Sequence, residues 1–345
     1  MVNNTEHGKT WGFGILGTGL IAEYHRQAIA ATDGAVLQAV GHYNPDKLAR
    51  LSEQFTVPAM SETELLVRPD IDVVIICTPS GQHAEQTIRA AEAGKHVLVE
   101  KPMALSLEDA DAMIEACRTA GVHLGVCLQR RTEPMFQKVR AAVAAGDLGD
   151  ITLAGLTMPY FRGDAYYAQA DWRGTWAGDG GGILMNQGIH LIDLLVWFLG
   201  DPEAIQAQAA TLKRSVEVED TIVATLGFPG GVLATVSGTT TAEPGFPHEL
   251  RLHGDRGSIV ISGESVSTWQ LLDPKAAKVE PVAPSASEGS GMSGDPRGLS
   301  IDGHVKVLHE FVSVLNGQGE LSIDGEEGRR SLAAVVGIYE AAGLR

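Results

Sequence analysis

The stretch Ala90–Pro102, AAEAGKHVLVEKP, decides the fold of the first half of the chain. Its alanines favour a helix, and the glycine after them suits the position that follows a last helical turn. The apolar run Val97–Val99 then predicts a short buried strand. Glu100 and Lys101 follow at the carboxyl end of that strand, which in an open α/β sheet faces the ligand crevice. A desolvated lysine there can transfer a proton, so Lys101 is a candidate catalytic residue. A surface ion pair at a strand end is the alternative interpretation.

A glycine-rich motif, G-x-G-x-x-A, occupies Gly17–Ala22 between a strand-like and a helix-like run. The first glycine permits a tight turn, and the second lets the backbone approach a pyrophosphate at the helix N-terminus. The alanine lets the helix pack closely on the strand. An ordinary glycine-rich turn is the alternative. The candidate cofactor-binding residues of this motif are Gly17, Thr18, Gly19, Leu20 and Ile21.

Strand-like and helix-like segments alternate as far as residue 128. This alternation predicts a doubly wound parallel sheet of the Rossmann type. The run Ile71–Cys77 is almost entirely apolar, as expected for a parallel strand that is covered on both faces. Further strands are predicted over 36–40 and 122–128, and helices over 21–31, 45–55 and 83–93 and after Ser106.

After Gln129–Pro134 the pattern changes, and strands dominate. Alternating apolar and polar positions predict an α/β domain with a mainly antiparallel sheet, packed on one face. The predicted domains are therefore residues 1–130 and 131–345. Pro281–Gly303 is rich in Ser, Gly and Pro and is predicted to be a mobile loop. The predicted strands are 151–158, 204–210, 221–228, 231–239, 249–253 and 258–262, and the predicted helices are 135–145, 304–315 and 326–342.

An apolar segment predicted as one helix, 183–199, carries three polar residues, Asn186, His190 and Asp193. Helical spacing places them on one face, and buried polar groups are costly unless they are paired. A lone buried histidine is usually a core residue, but this arrangement predicts that His190 is oriented for function. An i, i+4 pair also occurs in metal sites. No metal is predicted, because no other His or carboxylate cluster shows ligand spacing.

Composition excludes several classes of protein. The chain has 345 residues, 44% of them hydrophobic, which is enough for two domains with buried cores. Its net charge of −17, from 26 basic and 43 acidic residues, disfavours nucleic acid as a partner. Neither an export signal nor a membrane span is predicted. Three cysteines without metal spacing, Cys77, Cys117 and Cys127, favour a reducing, cytoplasmic location.

Together the motifs resemble the Gfo/Idh/MocA family of oxidoreductases, over nearly the whole chain. The resemblance rests on several motifs that occur in the family's order: the Gly17–Gly19 turn, Cys77-Thr78-Pro79 with His83, GKHV and EKP within 94–102, Asp171-Trp172-Arg173, and the glycine-rich segment from Gly180 through Asn186 and His190 to Asp193. The order and spacing of the set are highly specific.

The resemblance implies hydride transfer between a nicotinamide and a CH–OH or C=O group of a sugar, sugar acid or cyclic polyol held between the domains. It places Lys101 and His190 at the reacting hydroxyl as proton-transfer groups, with Glu100 tuning Lys101. Many members have Asp where this chain has Asn186, so more of the acid/base role is expected to fall on Lys101. The implied substrate-binding residues are Asn186, Trp172, Arg131, Tyr160, Trp176 and Asp193, and the further cofactor-binding residues are Cys77, Thr78, Pro79, His83, Glu100, Lys101, Gln129 and Arg173. Core packing is the alternative for each tryptophan.

The choice of cofactor depends on the end of the second strand. NAD-binding folds usually carry an acid about 20 residues past the glycine turn. Here the strand ends Val40-Gly41-His42-Tyr43-Asn44, without an acid. His42 and Lys47 are candidates for contact with a 2′-phosphate. The predicted cofactor is therefore NAD or NADP, leaning slightly to NADP.

Two further function classes stay open. One is a sugar-modifying enzyme with a tightly bound, recycled nucleotide, and the other is a non-enzymatic nucleotide sensor. An intact pair of Lys101 and His190 argues against a sensor. The resemblance also implies that the second sheet is large and open, and that a homodimer or homotetramer forms through its outer face.

Overall fold

The computed structural model describes residues 9–272 and 300–345, which divide into two compact units. Within the described residues, the first unit comprises 9–104, 108–129 and 300–329, and the second comprises 105–107, 130–272 and 330–345. The change of unit at Gln129/Arg130 lies next to the predicted boundary. The predicted division into two continuous domains, 1–130 and 131–345, differs from the structure at residues 300–329, because these residues pack with the first unit. The predicted loop Pro281–Gly303 lies mostly outside the described residues.

The first unit is a Rossmann domain. Its strands are β1 (Trp11–Leu16), β2 (Ala35–Gly41), β3 (Ala59–Met60), β4 (Val73–Ile76), β5 (His96–Glu100) and β6 (Leu124–Cys127). They form one parallel sheet in the order β3-β2-β1-β4-β5-β6, which confirms the predicted fold class. The α-helices of the described residues, in both units, are α1 (Leu20–Ala30), α2 (Leu48–Phe55), α3 (Glu62–Leu66), α4 (His83–Glu92), α5 (Leu107–Ala120), α6 (Pro134–Ala144), α7 (Asp164–Tyr167), α8 (Ile189–Leu199), α9 (Asp302–Leu315) and α10 (Gly325–Ala341).

Apolar strands and helix faces build the core of the first unit. All four residues of β4 are fully buried, because helices cover both faces of a parallel sheet. Leu308 and Phe311 of α9 join the core cluster that contains Phe13 and Ile15 of β1. This burial explains why a helix from the end of the chain completes the Rossmann domain.

The second unit contains a seven-stranded sheet. Its strands are β7 (Ile151–Pro159), β8 (Ala204–Ala210), β9 (Thr221–Phe228), β10 (Val232–Thr239), β11 (Glu249–Gly254), β12 (Gly257–Ser262) and β13 (Ser265–Leu271). The order is β13-β12-β11-β7-β10-β9-β8, and every neighbouring pair is antiparallel except β7 and β10. This confirms the predicted mainly antiparallel sheet. The sequence analysis did not predict β13.

The helix predicted over 183–199 is interrupted. Ile183–Gly188 is π-helical, and only α8 beyond it is an α-helix. A π turn holds more residues than an α turn, so the helical pitch changes between Asn186 and His190. Within 9–272 and 300–345, no helix is long and apolar enough to cross a membrane.

Candidate active site

The glycine-rich turn after β1 leaves room for a phosphate group. Gly17 has φ +94°, and a Cβ there would lie 2.6 Å from the carbonyl oxygen of Cys77, so only glycine fits. Gly19 caps the N-terminus of α1, and a Cβ built on it meets no atom within 4 Å. Leu20, the first residue of α1, is 44% exposed. The open space therefore adjoins helix N–H groups, which suits the pyrophosphate of a dinucleotide.

The end of β2 presents a histidine and a nearby lysine. His42 Nδ1 accepts a hydrogen bond of 2.9 Å from the Asn44 backbone N–H, and its ring stacks on Tyr43 with centroids 4.6 Å apart. Burial and, to a smaller extent, the charge of Lys47 lower the pKa of His42. His42 is therefore neutral at neutral pH, and the exposed Lys47 is the cation of the pair.

His83 connects the segments that follow β4 and β5. Its Nδ1 lies 2.8 Å from the carbonyl oxygen of Pro102, and its Nε2 lies 2.9 Å from that of Thr78. A neutral imidazole donates to one of these carbonyls in either tautomer. Burial lowers the pKa of His83, and the charge of Lys101 lowers it further. The buried ring thus holds two strand ends in place, which favours a positioning role over the direct cofactor contact that was predicted. The Lys101–Pro102 peptide bond is cis.

Lys101 lies directly beyond the carboxyl end of β5 and is half-buried. Burial raises the pKa of Cys127 on β6, and the charge of Lys101 opposes that rise. The Glu100 side chain is buried, with Oε1 2.8 Å from His25 Nε2 and Oε2 accepting the Lys101 backbone N–H at 3.2 Å. Glu100 therefore contacts the interior of the unit rather than the cofactor side where the resemblance placed it. Gln129, also predicted to contact cofactor, accepts a hydrogen bond from Cys127 Sγ at 3.9 Å.

In the second unit, Asn186 is paired with a buried aspartate. Its Nδ2 donates to Asp179 Oδ1 at 2.5 Å, and Asp179 Oδ2 accepts the Gly174 backbone N–H at 2.5 Å. Asp179 is only 3% exposed. The sequence analysis did not identify Asp179, because its position between glycines gave no sign of a fixed partner.

A second buried carboxylate, Glu219, explains the glycines before the π-helical segment. Glu219 accepts hydrogen bonds from the backbone N–H groups of Gly182 and Leu184, at 2.8 and 3.0 Å, and from the Tyr339 hydroxyl at 2.8 Å. Burial raises the pKa of Glu219. A Cβ on Gly182 would lie 1.8 Å from the Glu219 carbonyl oxygen, so the backbone approach requires glycine. The sequence analysis missed Glu219 and Tyr339, because both lie far along the chain from the segment that they hold.

Arg131 and Asp193 form a buried ion pair. Arg131 Nη2 lies 2.7 Å from Asp193 Oδ1, Arg131 Nε lies 3.0 Å from Oδ2, and the Ser331 hydroxyl donates to Oδ1 at 2.5 Å. Their side chains are 3% and 0% exposed. This pairing corrects the expectation that both residues bind substrate, because it gives each a partner in the interior of the unit. His190 lies in the first turn of α8 and is half-buried.

Two of the predicted sugar-binding aromatic residues have packing partners. Tyr160 is 8% exposed and lies edge-on to His248, and burial raises its pKa to about 12. Trp176 lies edge-on to Tyr339, with ring centroids 5.5 Å apart. Tyr160 therefore packs in the core, whereas Trp176 is half-buried.

Trp172 and Arg173 belong to a half-buried cluster of cations and aromatic rings. The Arg173 guanidinium lies 4.7 Å from the Trp172 ring centroid and 4.6 Å from that of Tyr166. It also donates to the Tyr166 hydroxyl at 2.8 Å. Planar cations and aromatic faces suit hydroxyl-rich or anionic ligands. The cluster therefore offers more to a carbohydrate than Tyr160 does.

Comparison with known proteins identifies the family. A model described as an oxidoreductase family with an NAD-binding Rossmann fold matches residues 11–128, and the GFO/IDH/MocA C-terminal domain matches residues 136–260. A 1,5-anhydro-D-fructose reductase of Ensifer adhaerens is 32% identical over 342 residues, which cover 96% of each chain. The chain belongs to the Gfo/Idh/MocA family. It is an NAD(P)-dependent oxidoreductase, as the sequence analysis predicted.

Solved structures of similar proteins agree with this assignment. The WlbA dehydrogenase from Bordetella pertussis, in complex with NADH and UDP-GlcNAcA, superposes with a TM-score of 0.86 at 32% identity over 97% of each chain. An aldose-aldose oxidoreductase from Caulobacter crescentus gives a TM-score of 0.79 at 29% identity, covering 97% of this chain and 98% of its own. Both likenesses span the two units of this Gfo/Idh/MocA chain.

Proposed function

We propose that this chain transfers a hydride between the nicotinamide of NAD(P) and a CH–OH or C=O group of a sugar, sugar acid or cyclic polyol. In the oxidative direction, the hydride leaves the carbinol carbon for C4 of the nicotinamide, and the hydroxyl proton passes to a side chain. Lys101 accepts that proton, and in the reductive direction an ammonium at Lys101 donates it back. The bound nucleotide supplies the hydride acceptor.

The position of Lys101 is the observation that carries this proposal. It is the first residue beyond β5, at the sheet edge where ligands bind in open α/β sheets. The backbone before and after it is held by Glu100 and by the contact between His83 and Pro102. A half-buried amine at a fixed strand end suits repeated proton transfer.

The second unit supplies the proposed substrate-binding groups. We propose His190 as a hydrogen-bonding or proton-transfer group for a substrate hydroxyl. Asn186 orients the substrate while its amide also donates to Asp179. Trp172, with Arg173 beside it, offers an aromatic face and a cation to the rest of the sugar.

The proton-transfer role is tested by two substitutions that separate charge from proton exchange. Lys101→Arg keeps a cation but cannot lose its proton at ordinary pH, and Lys101→Met keeps the apolar stem alone. Both are expected to lower kcat by roughly 100-fold or more, the usual scale of acid–base catalysis, with the nucleotide Kd unchanged. Turnover that survives in Lys101→Arg would assign Lys101 a purely electrostatic role, and full turnover in both variants would overturn the mechanism.

The substrate is sought by following NADH or NADPH absorbance with a panel of carbohydrates. The relatives suggest two starting points, 1,5-anhydro-D-fructose for reduction and UDP-GlcNAcA for oxidation. Inositols, levoglucosan and free aldoses complete the panel. Turnover of none of these classes with either nucleotide would contradict the proposed substrate class.

For the cofactor, we propose that either nucleotide binds and that Lys47 provides the contact to the 2′-phosphate of NADP. The end of β2 carries no carboxylate to repel that phosphate, and Lys47 is exposed beside a neutral His42. Lys47→Ala should weaken NADP binding and leave NAD binding unchanged. Equal loss of both nucleotides, or of neither, would contradict the assignment. The NADH complex of WlbA supports NAD as a cofactor.

A recycled nucleotide is the second candidate function, and the likeness to an aldose-aldose oxidoreductase favours it. In such an enzyme one sugar is oxidised and another is reduced by the same bound nucleotide. Nucleotide that stays bound through gel filtration, together with redox turnover of two sugars without added NAD(P), would support it. Purification of the protein free of nucleotide would favour the simple dehydrogenase.

We also propose a homo-oligomer formed through the exposed face of the second sheet. Leu153 on β7 and Leu233 on β10 are directly paired neighbours, and both are at least half exposed. Val223 on β9 is 50% exposed on the same sheet. Large exposed apolar side chains on a sheet face favour a protein partner. Leu233→Arg should then reduce the mass measured by light scattering to that of a monomer, and a monomeric wild type would overturn this.

The three cysteines support a proposed cytoplasmic location. Cys77, Cys117 and Cys127 are all free and buried, and reduced thiols of this kind are typical of reducing compartments.

A further inference from the structure

Four buried side chains meet inside the first unit beneath the end of β5. They are His25 of α1, Glu100 of β5, Cys127 of β6 and His304 of α9. One nitrogen, oxygen or sulfur atom from each lies within 4.8 Å of those from the others. No residue of the four is more than 6% exposed. Because the residues lie on four separate elements, no ligand-type spacing along the chain reveals the cluster.

Glu100 is the centre of this cluster. Its Oε1 accepts a hydrogen bond from His25 Nε2 at 2.8 Å and lies 3.7 Å from His304 Nε2. Its Oε2 accepts the backbone N–H of Lys101 at 3.2 Å. The rings of His25 and His304 lie edge to face, with centroids 5.0 Å apart. One carboxylate therefore joins α1, α9 and the backbone of Lys101.

The hydrogen bond from His25 and the nearby ring of His304 keep Glu100 ionised despite its burial. Burial alone would raise the pKa of Glu100, but His25 and His304 hold it well below the usual range. A buried carboxylate that loses a partner keeps its desolvation cost without the compensating bond, so it moves or takes up a proton. The position of Glu100, and of the backbone N–H that it accepts, therefore depends on both histidines.

Histidine, glutamate and cysteine also bind zinc in other proteins. In this cluster the direct contact between His25 and Glu100 already satisfies the carboxylate without an ion. This contact favours a hydrogen-bonded network, and metal content is accordingly one of the measurements below.

We propose that His25 and His304 are positioning residues for Lys101. Acting through Glu100, they fix the backbone at Lys101 and hence the reach of the amine that exchanges the proton. This inference rests on the role of Lys101 under the proposed function. Neither histidine touches substrate in this scheme.

The test begins with single variants and a matched control. His25→Leu removes the donor to Glu100, whereas His25→Gln keeps an amide donor near the position of the imidazole Nε2. His25→Leu and His304→Asn should each lower kcat by about 10- to 100-fold, the scale of a small misplacement of a catalytic group, with the nucleotide Kd unchanged. His25→Gln should recover most of the loss. His96→Asn, at the opposite end of β5, is the control and should retain wild-type kcat.

A double-mutant cycle separates positioning from general stability. If His25 acts through Lys101, His25→Leu should have no further effect on the residual turnover of Lys101→Met. If the fold-losses in kcat of the two single variants multiply in the double variant, the inference is overturned, because the histidine then acts independently of the lysine. Full activity of Lys101→Met alone would instead overturn the proposed function, so the two failures are distinguishable.

Two further outcomes complete the test. If His25→Leu does not fold, the same cycle is run with His304→Asn, whose side chain makes the longer contact. Elemental analysis of the purified wild type should find no stoichiometric metal. One equivalent of zinc, removed by a chelator together with activity, would overturn the network and assign the cluster as a metal site.

Discussion

Replacing Asn186 with aspartate would place two carboxylates side by side in the second unit. The Asn186 amide nitrogen now donates to Asp179 Oδ1 at 2.5 Å, and Asp179 is 3% exposed. A carboxylate accepts hydrogen bonds but cannot donate one unless it is protonated. Asn186→Asp therefore removes a bond to a buried charge and adds a like charge beside it. Relatives that have aspartate at this position must satisfy the charge in another way.

The size of the effect follows from the distance. Two unit charges that relax to about 4 Å apart repel by roughly 4 kcal/mol at the effective dielectric constant of about 20 typical of protein sites. Since one pKa unit corresponds to about 1.4 kcal/mol, the pair should keep one proton up to about three units above the usual carboxyl pKa. The free energy of unfolding should therefore fall by about 3–4 kcal/mol at neutral pH.

The sign of the pH dependence is the sharper test. The folded variant holds a proton that the unfolded chain releases above about pH 4, so rising pH favours unfolding of the variant relative to wild type. The difference between the melting temperatures of wild type and Asn186→Asp should thus be small near pH 4.5 and grow toward pH 7. Thermal unfolding followed by circular dichroism across this range measures it.

The neighbouring residue provides a matched control. Gln187 Nε2 donates to the Tyr166 hydroxyl at 3.3 Å, and Arg173 donates to the same hydroxyl. Gln187→Glu is also an amide-to-carboxylate change, but a hydroxyl and a cation lie beside it instead of a carboxylate. Its destabilisation should be smaller and should not grow with pH. Parallel pH profiles for the two variants would refute the pairing of Asn186 with Asp179.

Three further predictions concern stability and nucleotide binding. Arg131→Met should lower stability by about 3–5 kcal/mol, because it strands the buried Asp193 carboxylate, and the double variant Arg131→Met/Asp193→Leu should melt higher than the single one. Gly17→Ala should abolish measurable NAD binding in calorimetry, whereas Gly94→Ala, with positive φ but no atom within 4 Å of a Cβ, should cost only about 1–2 kcal/mol and bind normally. His248 has a folded pKa of about 3, so its contribution to stability is present above pH 6.5 and is lost as the pH falls toward 3. The melting temperature of His248→Leu should accordingly fall less than that of wild type between pH 7 and pH 4. An equal fall would show that His248 does not contribute to the pH dependence of stability.

The Rossmann half of the fold could be predicted because its signals are local. The run Ile71–Cys77 is almost entirely apolar, so its composition alone indicates burial. Gly17 and Gly94 indicate turns, and both glycines have positive φ in the structure. The seventh strand of the second sheet was missed, although its signal was present. Gly263 and Glu264 form a two-residue connection between β12 and β13, with Gly263 at φ +57°. A glycine in such a connection between alternating runs is the ordinary sign of a hairpin.

The interruption of the helix before α8 could not be predicted from its own residues. The segment Ile183–Gly188 is apolar and fits an α-helix by periodicity. Its first backbone N–H groups are instead satisfied by Glu219, and Tyr339 accepts the N–H of Met185 at 3.1 Å. Those partners come from other parts of the second unit, and hydrophobic periodicity holds no information about them. Hydrophobic periodicity therefore predicts that the segment is helical, but it does not predict a π-helical turn that tertiary contacts stabilise.

The polar residues of the apolar segment show the same limit within the candidate site. Asn186 and Asp193 looked like members of one functional group with His190, since α-helical spacing aligns all three. In the structure Asn186 donates to Asp179, whereas Asp193 accepts from Arg131, which is 62 positions away in the chain. Because Asp193 is paired in the interior, it is a poorer candidate for contact with a sugar. Asn186 and His190 are half-buried and are still candidates for that contact. A polar residue in an apolar helix thus indicates that a partner exists, because burial without one is too costly. The identity of that partner decides whether the residue can act on a substrate.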